Sequence, residues 1–197
     1  MTGARRRRIT AVLVASLATL VACSSPSPKL YTIAPVDGAA RTRGPKVIVL
    51  QQIGLARYLE RSQIVRSSEN YRLDVMQNDW WGEPLGSMLS RVLIEEVSQR
   101  LPRSAVLGEN DAVSSPADAT IGLNIRRLDE DASGAVVLLA EAAVSFKGRP
   151  TPVLQSFRLT AVPQGPGMQY EVAAISAAVG QLADGLVPML LAGPASR

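Results

Sequence analysis

ATIGLNIRRLDEDASGAVVLLAEAAVSF, residues 119–146, carries the strongest fold signal in the chain. Its opening residues alternate: Ile121, Leu123 and Ile125 fall on one side, Gly122, Asn124 and Arg126 on the other. A period of two marks a half-buried strand, because successive side chains point to opposite faces of a sheet. DEDASG, Asp129 to Gly134, is rich in turn formers and reads as an acidic, solvated hairpin turn. A second apolar run, AVVLLAEAAVSF, follows it. KGRPTP turns the chain again, and VLQSFRLTAV puts Val153, Gln155, Phe157, Leu159 and Ala161 on one face. Three successive strands joined by short turns predict an antiparallel meander with one face buried.

Upstream, KLYTIAP and KVIVLQQI read as strands, and SQIVRSS and YRLDVMQ as two more around a Ser-Glu-Asn turn. Leu85, Met88, Leu89, Val92, Leu93 and Val97 then recur at helical spacing. Pro84 suits the first turn of that helix, where its missing N–H has no partner to lose. Arg91, Glu95, Gln99 and Arg100 lie largely off the apolar stripe, and Pro102 closes the helix. The last element, MQYEVAAISAAVGQLADGLVPMLL, carries Val172, Ile175, Val179, Leu182 and Leu186 as a stripe, with Glu171 and Asp184 its only charges. A helix without a charged face is seldom fully exposed. It packs on the sheet, or its small-residue face meets another subunit. The order predicts an α+β fold: a mainly antiparallel sheet with two helices packed on one face.

The N-terminus belongs to no fold. MTGARRRR is a positive leader, and Ile9 to Ala22 is an apolar run of 14 residues. As a helix it would span ~21 Å, short of the ~30 Å hydrocarbon core, which is signal-peptide length; the alternative is an N-terminal membrane anchor. It ends in Leu20-Val21-Ala22-Cys23, which resembles the bacterial lipobox. That resemblance implies cleavage between Ala22 and Cys23, a lipid on the Cys23 thiol and acylation of its new amine. The plainer alternative is an ordinary signal peptide with an incidental cysteine. Ser24 after the cysteine, in place of aspartate, implies export to the outer membrane. The expected organisation is a signal peptide at 1–22, a short lipidated tether at 23–28 and one domain at 29–197. The five residues between Cys23 and the domain reach only ~17 Å when extended, so the domain stays close to its membrane.

Composition removes several function classes. The chain has no histidine and one cysteine in 197 residues. Ser-His and Cys-His nucleophile pairs, disulfide frameworks and cysteine metal clusters are therefore absent. Lys29, Lys46 and Lys147 sit at strand ends or turns, which disfavours Ser-Lys chemistry, and PQGPG lacks the lysine of a phosphate loop. The cluster Asp129, Glu130 and Asp131 reads as solvated. No catalytic residue, metal site or cofactor is expected beyond the lipid on Cys23. Four of the 21 basic residues are Arg5 to Arg8; without them 17 basic face 17 acidic residues, and the case for nucleic acid disappears.

Charge is distributed unevenly in what remains. Lys29 to Arg66 holds seven basic residues against Asp37 and Glu60. Arg57, Tyr58 and Arg61 are candidate contacts to a partner or to anionic headgroups; the alternative is a solvated surface. The only tryptophans, Trp80 and Trp81, cannot both point inward from a regular strand. Trp81 is expected in the core beneath the helix that Pro84 and Leu85 open, and Trp80 at a partly exposed contact.

IGLARYLERSQIVRSS, DWWGEPL and SFRLTAVP, with the lipobox, resemble the PqiC-like auxiliary lipoproteins of ABC-type and Mce-type transport. In this chain Ser62 stands where that family's pattern has proline, Glu60 where it has aspartate, and Gly82 where it has alanine; Trp80 is additional. The resemblance implies a non-enzymatic outer-membrane lipoprotein on the periplasmic face that supports membrane integrity. It would dock a periplasmic Mce-type protein of an intermembrane lipid transport system and work with an inner-membrane component. A homo-oligomer is expected as a symmetric receiver. The alternative is a lipoprotein cofactor of envelope biogenesis, activating a peptidoglycan synthase or assisting outer-membrane assembly.

Overall fold

The computed structural model describes residues 27–111 and 115–193. The signal segment, Ala22 and Cys23 lie outside them. In chain order the elements are β1 (Lys29–Tyr31), β2 (Val47–Leu50), β3 (Gly54–Leu55), a 3-10 turn (Arg57–Leu59), β4 (Gln63–Ser67) and β5 (Asp74–Trp81). Then come α1 (Leu85–Arg100), β6 (Ala105–Gly108), β7 (Ala119–Glu130), β8 (Val136–Phe146), β9 (Val153–Ala161) and α2 (Met168–Leu191).

β7 is the spine of the sheet. On one side it pairs antiparallel with β8 along its whole length, and β8 pairs antiparallel with β9. Its other side is shared end to end by three pieces of the upstream chain, all parallel to it. Ile48 registers with Ala119 in β2, Gly54 with Asn124 in β3 and Ser67 with Glu130 in β4. β6 extends the sheet beyond β2, and β5 then β1 extend it beyond β4. The expected mainly antiparallel sheet is therefore corrected to a mixed one. Among the described residues five of the eight strand pairings are parallel, and only β4–β5, β7–β8 and β8–β9 are antiparallel. Periodicity shows a strand's faces and a short turn shows its hairpin partner, but a parallel partner some 70 residues away leaves no local mark.

One face of this sheet and the two helices make a single core. Ile121, Leu123 and Ile125 of β7 and Leu138, Ala140 and Val144 of β8 are buried against Leu89, Leu93, Val179 and Leu182. Pro84 stands just outside α1 as its N-cap, its carbonyl accepting the amide of Met88 at 3.1 Å. α2 is long and apolar enough to cross a membrane, yet 67% of its most apolar stretch is buried in the domain, as a core helix requires. A strap from Ile33 to Arg41 crosses the helices. Ala34 N donates to Ser176 Oγ at 3.2 Å and Val36 N to Glu96 Oε1 at 2.8 Å.

Candidate interaction surface

A β-bulge decides what the outer face of the sheet carries. The β7–β8 register shifts between Ile125 and Arg127, so that Leu128 continues the core face opposite Leu138. Arg127 and Asp129 are thereby turned outward, opposite Leu139 and Val137. The acidic turn is shorter than expected. β7 runs through Glu130, and the turn itself is closed by Asp131, whose amide and carbonyl bond Ala135 O (2.8 Å) and Gly134 N (2.9 Å). Asp129, read as solvated, is fully buried.

That burial is compensated. Tyr58, carried over the outer face by the 3-10 turn between β3 and β4, donates its hydroxyl to Asp129 Oδ2 at 2.6 Å. Arg127 Nε donates to Asp129 Oδ1 at 2.8 Å, and Arg127 Nη2 to Glu69 Oε1 at 2.7 Å. A buried carboxylate is tolerable when its lone pairs are met by a cation and a donor, as here. Burial, and then the bond and charge of Asp129, push the Tyr58 hydroxyl well above its ordinary value. It is a locked donor and will not serve as a base. Beside it a cleft of about 530 Å³ is lined by Tyr58, Arg126, Arg127, Glu141, Ser156 and Arg158. Arg126 reaches Glu141 at 2.8 Å across the strands.

The other candidate contacts fall nearby. Arg57 and Arg61 are exposed. The 3-10 turn covers three residues only, so the two arginines are not stacked on one helical face. The residues after Arg61 meet the tryptophans: Ser62 O accepts the Trp81 amide at 2.8 Å, and Gln63 registers with Trp80. Trp81 is buried at 8% exposure and Leu85 is buried beside it in the core. Trp80 is half-buried on the opposite face, its indole N–H donating to Gln77 O at 2.9 Å.

Besides Asp129, three buried charges escaped the sequence reading. Arg100, placed off the apolar stripe, is 1% exposed. It donates to Asp184 Oδ1 (2.7 Å), Val36 O (3.1 Å), Glu96 O (3.2 Å) and Gly180 O (3.1 Å), and so ties α1, α2 and the strap together. Glu96 receives the strap at Val36, and burial pushes its carboxyl up to about 7. Glu171, at the start of α2, is pushed up to about 8 by burial and by the neighbouring charge of Glu130, with Arg66 opposing. No local signal marks Arg100 or Glu171. For Asp129 a signal exists in the adjacent pair Arg126-Arg127, which breaks the alternation where the bulge lies. Among the described residues no three Asp, Glu, Cys or His side chains gather so as to hold a metal ion.

Comparison with known proteins places this arrangement. The family model for the ABC-type transport auxiliary lipoprotein component matches residues 30–187. None of the curated proteins matches the chain. Among solved structures, an uncharacterized protein is similar with a TM-score of 0.70 at 18% identity, over 83% of this chain and 98% of its own. Protein XCC0632 from Xanthomonas campestris is similar with a TM-score of 0.66 at 17% identity, over 83% of this chain and 95% of its own. At such identity these two likenesses establish the fold alone.

Proposed function

The chain belongs to the family of ABC-type transport auxiliary lipoprotein components, and on that premise we propose that it is the outer-membrane docking subunit of an intermembrane lipid transport system. In this reading Cys23 carries the lipid, the domain stands on the periplasmic face, and it receives a periplasmic Mce-type protein that is served by an inner-membrane component. It assembles as a homo-oligomer and performs no chemistry of its own.

One observation carries the reading. The family match begins seven residues after the chain's one cysteine, and that cysteine closes an apolar, positively led N-terminal run. A lipoprotein needs a cysteine thiol for its thioether, and Cys23 is the only one available. The rest is consistent with a binding role. On the outer face Tyr58, Asp129, Arg127 and Glu69 are engaged with one another, and the exposed arginines at 57 and 61 offer charge to an acidic surface.

The experiment is purification of the full chain from membranes in detergent, beside a Cys23→Ser variant. The expected result is an intact mass carrying acyl chains, a complex larger than a monomer, and recovery of an Mce-type protein with the wild type. An unacylated wild-type chain, or a monomer that retains no transport protein, overturns the proposal.

A further inference from the structure

We propose that the end of the domain built by the β4–β5 turn rests on the bilayer holding the chain's own lipid, with Tyr71 and Leu73 as its interfacial anchors. The inference rests on the lipoprotein reading above and adds an orientation to it.

Topology gives the direction. β1 runs parallel to β5, with Lys29 level with Asp79. The chain therefore enters β1 from the side on which β5 begins, at Asp74 next to the β4–β5 turn. Ser67 registers with both Asp74 and Glu130, so the β7–β8 turn lies at this same end. Val136 registers with Ala161, which brings the exit of β9 there too.

Length agrees with direction. From the level of Asp79 down to Asp74 is five residues of strand, ~17 Å. Cys23 lies six residues before Lys29 and can reach ~20 Å. The lipid-bearing residue can thus come level with the turn and little further.

The side chains at this end suit such a place. Tyr71 is fully exposed, Leu73 is 40% exposed, and Val162, just past β9, is 68% exposed. Arg72 lies between the two anchors of the turn. Asn70 and Tyr71 hold φ of 55° and 60°, and Arg72 N donates to Glu69 O at 3.1 Å across them. Two positive φ angles at the centre of a hairpin turn are the geometry that Asn-Gly serves. A tyrosine at the second position is strained, and its ring touches no core that would compensate. An amphipathic ring held into solvent beside a leucine is the chemistry of a membrane-interface anchor. Three of the acids around it are occupied: Glu69 bonds Arg127, Glu130 bonds Arg66, and Asp131 accepts the Ser133 and Ala135 amides, while Asp74 beside Leu73 is exposed.

The test uses the full lipidated chain in vesicles of phosphatidylethanolamine and phosphatidylglycerol. Tyr71→Cys or Leu154→Cys gives one labelling site, because the Cys23 thiol is consumed by lipid; Leu154 lies at the other end of β9. An environment-sensitive fluorophore at each site is challenged with nitroxide-bearing acyl chains. Quenching several-fold stronger at 71 than at 154 is the expected result. Equal quenching overturns the orientation, as does a label at 71 that is shielded from aqueous quencher but untouched by the nitroxide lipids, which would mean protein covers it. Intact mass is read first, and a chain without acyl groups fails the lipoprotein reading itself.

Discussion

Asp129 Oδ2 accepts a 2.6 Å hydrogen bond from the Tyr58 hydroxyl, 71 positions earlier in the chain. This bond fastens the 3-10 turn to the outer face of the sheet, and the Arg127 guanidinium completes the site at 2.8 Å. Tyr58→Phe removes one donor to a buried charge and should cost about 2 kcal/mol. Asp129→Ala leaves Arg127 and Tyr58 without their shared acceptor and should cost about 3–5 kcal/mol. Urea denaturation of the two variants checks both the direction and the order. A Tyr58→Phe variant as stable as the wild type would mean that Arg127 alone neutralises Asp129.

Arg100 holds the strap as well as the helices, since Arg41 N donates to Arg100 O at 2.7 Å while the guanidinium reaches Val36 O. Arg100→Met removes the donors to Val36 O and to the Asp184 carboxylate and should destabilise the fold by about 3 kcal/mol. Gly38→Ala should loosen the same strap, because a Cβ at Gly38 would overlap the Arg100 guanidinium. Hydrogen exchange at the amides of Val36 and Arg41 should accelerate in both variants, ahead of global unfolding. Unchanged protection there would place the anchor elsewhere.

Stability should fall as the pH rises through neutrality. The folded chain binds protons at Glu96 and Glu171 more tightly than the unfolded chain does, since burial raises these carboxyls to about 7 and about 8. A raised acid contributes its stability in full below the ordinary carboxyl value, and that contribution drains away as pH climbs to the folded value. Charged neighbours set the scale: Arg100, Asp184 and Glu95 around Glu96, and Glu130, Arg66, Asp74 and Asp129 around Glu171. The urea midpoint should therefore be lower near pH 8 than near pH 5, through the proton-linkage slope. Glu96→Gln with Glu171→Gln should flatten that slope. A wild-type midpoint that rises over this window contradicts the assignment.

Tyr71→Gly should stabilise the fold. Glycine adopts positive φ without the Cβ clash that costs other residues ~1–2 kcal/mol, and part of this is offset by glycine's greater freedom when unfolded. The net gain expected is about 1 kcal/mol, read by thermal denaturation. The same substitution should weaken seating on vesicles. A variant that is more stable and yet less membrane-bound separates the ring's cost to the fold from its use.

Legibility in the sequence varied with the range of the interaction. Ile121, Leu123 and Ile125 announced their face because a strand's two faces alternate within a few residues. Leu85 to Val97 announced α1 in the same way, at helical spacing. Past Ile125 the alternation misled. The bulge inverted the parity, turning Arg127 and Asp129 away from the core face, and Asp129 looked like a turn residue when it is a buried one. Arg100 read only as lying off the apolar stripe for a related reason, since its partners lie on α2 and the strap, far along the chain.

The sequence by itself determined the helices, the β7–β8–β9 meander, the missing histidine chemistry and Cys23 as the one residue able to carry a lipid. These follow from local periodicity, short turns and composition, each complete within a few residues or a count. Only the tertiary structure decided that most pairings are parallel, that Tyr58 caps a buried aspartate, and that Tyr71 and Leu73 stand at the end from which the tether leaves. Each of these depends on which distant segments share a register. Parallel partners are joined by crossovers rather than turns, so the free energy that selects them is settled by packing the whole sheet against its helices.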